Sequence, residues 1–402
     1  MAFNRILIAN RGEIAIRLAR AIADCDANSV AVYAEDDAQS LHVRSADQAI
    51  ALQGQGVAAY LDAAQLIRIA KEQSCDAIHP GYGFLSENAD FARACEQAGI
   101  TFIGPAPEVL DTFGDKASAR RLAQQQGVPL TQGTNEPTTL EQARDFMQSR
   151  GDGAAVMLKA LAGGGGRGMR AVHDLAELDD AFARCSSEAP AAFGRGDLYV
   201  ERLIRRARHI EVQIIGDGTE VAHVWERDCT LQRRNQKLLE VAPAPSLDPA
   251  VRKQLHEAAC TLTRAVGYRG LCTVEFLLDE ERGDFVFMEA NPRIQVEHTV
   301  TEAVTGLDLA VTQIQLAAGK TLAELGFTQA EIPAARGFAV QLRINLESMA
   351  ADGSTRPAGG TLSAYQPPSG PGIRVDGYGY AGYTTSPRYD SLLAKLIVHA
   401  GG

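Results

Sequence analysis

The 402-residue sequence predicts a mixed α/β and α+β architecture, in which a doubly wound parallel α/β domain is followed by grouped, mainly antiparallel strands. Three observations carry that expectation. Over the first 114 residues short apolar runs alternate with helical patterns. Beyond a glycine tract near residue 165 the strand-like runs follow one another in groups instead. From Arg336 onward Gly, Pro and Tyr punctuate short strands with turn signals.

The opening RILIANRGEIAIRLARAIA reads as a buried strand over 6–9, a turn over 10–12 and an amphipathic helix from about Glu13. A second apolar run, SVAVYAED, makes this a right-handed parallel crossover. A helix over 61–73, a strand over 75–79, the loop HPGYGFLSEN, another helix and the strand ITFIGP extend the pattern. No GxGxxG follows the first strand, which argues against a dinucleotide site. Residues 115–151 are helical in pattern, with a break at Gly127, Val128 and Pro129. AAVMLKAL and MRAVHD then flank the glycine tract, and DLYVERLI, HIEVQIIG, VAHVWERD, LCTVEFLL and DFVFMEAN read as strands, with a helix over 249–266. The run SLLAKLIVHA reads as a strand without its successor, so the last sheet is expected to be incomplete.

With 46% hydrophobic residues the chain can bury a large core. Its apolar stretches are far shorter than the roughly 20 residues of a membrane span, and its start lacks a secretory apolar core, so a cytoplasmic setting is expected. A net charge of -11 disfavours nucleic acid and anionic membranes as partners. Any phosphate-bearing substrate must then be held by a local basic cluster. Seven cysteines without a CxxC pair argue against a disulfide framework and a zinc site.

The tract Gly163 to Gly168, which includes Gly164, Gly165 and Gly166, allows positive φ and close approach of backbone amides to a polyphosphate. On spacing alone a flexible hairpin tip is an equal reading. Lys159 on the preceding strand adds a charge suited to phosphate. In FMEANPRIQVEH the residues Glu289, Asn291, Arg293, Gln295 and Glu297 alternate with apolar ones, so an extended chain places these five on one face. Glu275 lies in a preceding apolar strand, and the polar turn 279–284 folds it back towards Glu289. Two such carboxylates suit Mg²⁺, with a structural salt bridge as the competing explanation. The segment CTLQRRNQKLLE supplies Gln232, Arg233, Arg234 and Lys237, of which at least one basic group is expected to face inward to an anion. Arg343, inside the apolar strand FAVQLRIN, needs a carboxylate or anionic ligand. His79 and His298 share no metal-site spacing, and His79 reads mainly as loop structure.

In order, RILIANRGEIAIR, HPGYGFLSEN, GDK, GGGGRGMR, RHIEVQ, ERDCTLQRRNQK, EANPRIQVEH and LRIN closely resemble the motifs of biotin carboxylases, and the resemblance covers nearly the whole chain. It implies an N-terminal α/β domain over 1–114, an ATP-grasp domain over 115–334 with its lid over about 131–203, and a truncated C-terminal β domain over 335–402. The implied reaction is ATP-dependent carboxylation of biotin by bicarbonate through carboxyphosphate, the first half of a biotin-dependent carboxylase with acyl-CoA as the expected acceptor. The implied cofactors are ATP, Mg²⁺ or Mn²⁺, and biotin on a carrier protein. The implied partners are a biotin carboxyl carrier domain, a carboxyltransferase and a possible second copy of the chain. By resemblance, Lys116, Lys159, the glycine lid, Glu201, Leu203, His209, Gln232 and Leu277 contact ATP. Glu275, Glu289 and Asn291 hold metal. Lys237, Arg293, Gln295 and the Val296 backbone cradle bicarbonate, Glu297 is the base, and Arg343 stabilises the biotin enolate. Asn235, Val241 and the pair Gln341-Leu342 depart from the free-standing bacterial subunit, and Val241 puts in doubt a role for the second glutamate of its EEAP run. The rivals are another ATP-grasp ligase, or a non-enzymatic piece that binds nucleotide or serves docking or oligomerisation; the truncated chain itself is expected to bind ATP but turn over slowly.

Overall fold

The computed structural model describes residues 2–134, 136–151, 155–160, 168–193 and 196–401. Five parallel strands form the first sheet, in the order Gln48–Ala51, Asn28–Tyr33, Arg5–Ile8, Ala77–His79, Thr101–Phe102. Arg5–Ile8 sits at the centre because Ile6, Leu7 and Ile8 are buried on both faces. Its chain turns at once into the helix Gly12–Asp24. Gly12 has a φ of +66°, and a Cβ there would stand 3.4 Å from the Tyr378 ring, so glycine serves both the turn and the contact. The helix expected from residue 61 begins at Ala63 because the Asp62 side chain caps it by accepting from the Gln65 amide.

After the helices Pro107–Gly114 and Lys116–Gln125, a small antiparallel sheet runs Met169–Val172, Val156–Ala160, Leu198–Arg202. The helices Leu140–Gln148 and Leu178–Phe193 accompany it. The large sheet has eight antiparallel strands, in the order Phe285–Asn291, Arg269–Asp279, Ala207–Asp217, Val221–Arg233, Gln236–Ala242, Phe338–Asn345, Leu392–Ala400, Ile373–Gly377. This sheet crosses residue 335 without a break. The strand Leu392–Ala400 lies between Phe338–Asn345 and Ile373–Gly377, both of which precede it in the chain.

The helix Pro249–Ala265 packs its apolar side into one face of this sheet through Leu255, Ala259 and Leu262. The helix His298–Thr305 packs through Val300 and Val304 against Ala242, Ala339 and Ile397. No helix among the described residues is long and apolar enough to cross a membrane. All seven cysteines are free thiols. His79 is not in a loop: it ends the strand Ala77–His79, fully buried, and its Nδ1 accepts from the Gly81 amide. Burial pushes its imidazole down to about 3, so it is neutral.

Candidate active site

Register across the large sheet places Arg227, Glu211, Glu275 and Glu289 opposite one another on four neighbouring strands. The expected meeting of Glu275 with Glu289 is therefore present, and Glu211 joins the row. Three like charges side by side are unfavourable unless cations stand among them. Lys237 is that cation: its ammonium donates to Glu211 at 2.6 Å, Glu275 at 2.9 Å and Glu297 at 2.8 Å. These three bonds use all three ammonium donors. Lys237 reaches the row because Arg234 and Asn235 form a tight hairpin loop, with φ of +49° and +64°. Asparagine tolerates that backbone, which gives Asn235 a structural reason. Of the basic segment, Lys237 faces inward, whereas Arg233 pairs with Glu347 and Arg234 donates to the Asp352 carbonyl at 3.0 Å.

Arg227 is fully buried and pairs with Glu211, while its remaining nitrogens donate to Gln213 at 2.8 Å, Thr301 at 2.9 Å and Thr273 at 3.1 Å. Arg343 donates to Glu240 at 2.6 Å and to Glu297 at 3.1 Å, the carboxylates its apolar strand called for. Burial alone would raise the Glu297 carboxyl, but Lys237, Arg343 and Arg227 outweigh it and hold it well below the carboxylate range. Burial would likewise lower Lys237, yet Glu211, Glu275 and Glu297 hold it well above its ordinary value. Glu240 runs the other way: burial, which exceeds the pull of Arg343, raises its carboxyl, and the charge of Glu297 adds to this.

Glu275 also pairs with His209 at 2.6 Å and accepts from Asn291 at 2.8 Å and Gln295 at 3.4 Å. Gln232 donates to the other His209 nitrogen side at 3.0 Å and to the Cys229 carbonyl at 2.9 Å. Burial and the charge of Glu275 raise the Glu289 carboxyl, against the pull of Lys116. Lys116 opens the helix Lys116–Gln125, and burial lowers its ammonium. Lys159 pairs with Glu201, which also accepts from Arg120 at 2.6 Å. Leu203 donates its amide to the Ala155 carbonyl at 3.0 Å. Leu277 is half-buried, opposite His209 on the neighbouring strand. Gly164, Gly165 and Gly166 lie outside the described residues.

One expectation needs correction. The run from Glu289 to Glu297 is not a continuous extended strand, because the strand Phe285–Asn291 stops before Pro292, whose nitrogen has no hydrogen for a ladder bond. Residues 292–297 form a turn into the helix His298–Thr305, and Glu297 sits at its N-cap. The turn still gathers the five polar groups. Arg293 donates to Gln295 at 2.9 Å, Asn291 at 3.2 Å and Glu87 at 2.8 Å, and Gln295 reaches Glu275. Arg293 and Glu297 therefore do not touch; Gln295, Glu275 and Lys237 connect them.

Comparison with known proteins matches this arrangement to three consecutive family descriptions. "Biotin carboxylase, N-terminal domain" covers residues 2–110, "Carbamoyl-phosphate synthase L chain, ATP binding domain" covers 115–325, and "Biotin carboxylase C-terminal domain" covers 341–402. A biotin carboxylase of Nostoc sp. is 47% identical over 99% of this chain and 88% of its own length. The chain belongs to the biotin carboxylase family. Pyruvate carboxylase 1 of Caenorhabditis elegans is 48% identical over 99% of this chain, which spans 34% of that longer protein. The biotin carboxylase domain dimer of the Hydrogenobacter thermophilus 2-oxoglutarate carboxylase, solved with MgADP, ADP and bicarbonate, has a TM-score of 0.92 and 42% identity, covering 100% of this chain and 87% of that one. The ATP-grasp fold expected from the motifs is thus shown.

Sequence reading missed Glu211, Arg227 and Glu240. The alternation of His209, Glu211 and Gln213 through an apolar run was an available sign of a polar face. Arg227 and Glu240 had no local sign, since each is recognised only by partners on other strands.

Proposed function

We propose that the chain performs the first half-reaction of a biotin-dependent carboxylase, the ATP-dependent carboxylation of biotin on a carrier domain with bicarbonate as carbon source. The observation that carries this is the enclosed junction of Lys237, Glu297 and Arg343 beside the facing carboxylates Glu275 and Glu289. Neighbouring Arg293 and Gln295 offer further donors to a small planar anion.

Glu275 and Glu289 stand opposite each other in register, with Asn291 bonded to Glu275, a set of hard oxygen donors that suits a divalent cation; burial, and after it the charge of Glu275, raises the Glu289 carboxyl, and such an ion would offset that charge. Mg²⁺ or Mn²⁺ there would supply charge neutralisation for the phosphate oxygens of ATP. In this reading Lys116 and Lys159 hold those phosphates, and Glu201, Leu203, His209, Gln232 and Leu277 surround the nucleotide, the roles that the family resemblance implies. Glu297, ionised beside its cations, takes the bicarbonate proton as the bicarbonate oxygen attacks the γ-phosphorus and ADP leaves. Closing the site to water protects the resulting carboxyphosphate. Its breakdown yields CO₂ and phosphate beside biotin; phosphate accepts the ureido proton, and the Arg343 guanidinium stabilises the enolate oxygen until carbon dioxide is attacked.

The carrier domain and carboxyltransferase are the proposed partners, along with a second copy of the chain in a homodimer. The final acceptor belongs to the carboxyltransferase. The motifs do not distinguish an acyl-CoA, the acceptor expected above, from pyruvate, and the similarity to a pyruvate carboxylase supports pyruvate. The test is ATP cleavage by the purified protein. Dependence on bicarbonate and stimulation by free biotin are expected, whereas cleavage indifferent to both would refute the reading.

A further inference from the structure

Lys395 is fully buried in the strand Leu392–Ala400, and nothing in the chemistry above uses it. Its ammonium donates to the Val296 carbonyl at 3.0 Å and stands 3.2 Å from Glu13. Asp376 lies opposite it on the next strand, where Arg374 already binds both oxygens at 3.0 and 2.7 Å. Glu13 also accepts from the Tyr82 hydroxyl. One turn further along the same helix, Arg17 pairs with Glu302 at 2.9 Å and fastens that helix to His298–Thr305.

The turn 292–297 has no ladder to hold it, so its carbonyls need other partners. Arg293 donates to the Ile294 carbonyl at 3.3 Å. His298 approaches the Gln295 carbonyl through its amide at 3.3 Å and its ring at 2.7 Å. Lys395 takes the Val296 carbonyl. A carbonyl and the following amide share one rigid peptide plane, so fixing Val296 O also fixes the Glu297 N–H and the start of the side chain it carries. An ammonium is an expensive group to bury for that task unless a carboxylate accompanies it, and Glu13 does so from the N-terminal domain.

We propose that Lys395 is a positioning residue for the bicarbonate end of the site: braced by Glu13, it locks the peptide between Val296 and Glu297 and ties the base to the N-terminal domain. This rests on the biotin carboxylase reading. The contact predicts a defect confined to bicarbonate. A lysine that merely joined two domains would disturb both substrates alike or only the melting temperature.

The experiment is steady-state ATP cleavage by the purified protein, with KM for bicarbonate and for ATP measured separately. An inactive wild-type protein would refute the underlying reading. With an active wild type, the double variant Lys395→Met/Glu13→Gln removes both buried charges together. Its KM for bicarbonate is expected to rise about tenfold or more, as for loss of a charge-assisted bond, with KM for ATP within about twofold. Equal changes in both constants, or neither, would overturn the proposal. Glu13→Gln alone keeps an acceptor for Tyr82 and the shape of the site, and is expected to raise the bicarbonate KM about threefold. Should the double variant fail to fold, an unchanged bicarbonate KM in Glu13→Gln overturns the proposal and a selective rise supports it.

Discussion

Lys237 and Lys116 are both largely buried lysines of one site, but their surroundings differ. Lys237 is saturated by Glu211, Glu275 and Glu297. Lys116 makes no ion pair among the described residues, and burial lowers its ammonium despite the more distant Glu289 and Glu201. The first lysine is therefore already neutralised by the protein, so an arriving anion must share it with carboxylates. The second is short of negative charge and gains most from a ligand that carries several. In the proposed reading these surroundings suit a monoanion held weakly enough to be released near Lys237 and a polyphosphate held firmly near Lys116, because the accompanying carboxylates differ.

Substitutions at the two ends should therefore separate cleanly. Glu297→Gln removes a proton acceptor and a partner of both Lys237 and Arg343. Bicarbonate-dependent ATP cleavage is expected to fall by about 100-fold or more, with KM for ATP nearly unchanged in initial-rate assays. Lys116→Met should raise KM for ATP by roughly ten- to a hundredfold, the worth of a charged hydrogen bond, and leave KM for bicarbonate nearly as it was. An exchange of these two phenotypes would break the comparison.

A smaller effect concerns acid. Glu297 stays ionised in mild acid because its cations hold it low. His42, in the N-terminal domain, lies between Ser40 at 2.8 Å and the Val32 carbonyl at 3.1 Å, and burial lowers it from 6.5 to about 4, against the pull of Asp37. Between those values the unfolded chain binds a proton that the folded one refuses, so this contribution to stability is full above 6.5 and is lost as pH falls towards 4. Relative to His42→Gln, the wild type should lose roughly 2 kcal/mol of stability between about pH 7.5 and pH 5 in urea unfolding. A constant difference would show that the folded histidine takes up its proton as readily as the unfolded one.

What the sequence could reveal follows the range of each interaction. The first parallel sheet and the hairpin joining Glu275 to Glu289 were legible because a strand's period of two and a polar turn are local signals. Gln295 and Glu297 were drawn onto the right surface for the wrong geometric reason, since alternation cannot register that Pro292 ends the ladder. On its residues alone Lys237 was one of several basic groups, singled out only by the family resemblance; the hairpin at Arg234 and Asn235 is what turns it inward. Glu240 and Lys395 were hidden in apolar strands, and their partners Arg343 and Glu13 lie 103 and 382 residues away along the chain (343 − 240 and 395 − 13). Such long-range pairing is set by sheet order, which local patterning does not encode.

The central claim is that the anion held near Lys237 and Glu297 is the nucleophile toward the terminal phosphate of ATP. It is tested by supplying ¹⁸O-labelled bicarbonate in unlabelled water and analysing the phosphate released in the first turnovers by mass spectrometry. The account predicts one ¹⁸O transferred into each phosphate. Phosphate carrying only solvent oxygen would mean that water attacks ATP, and would contradict it.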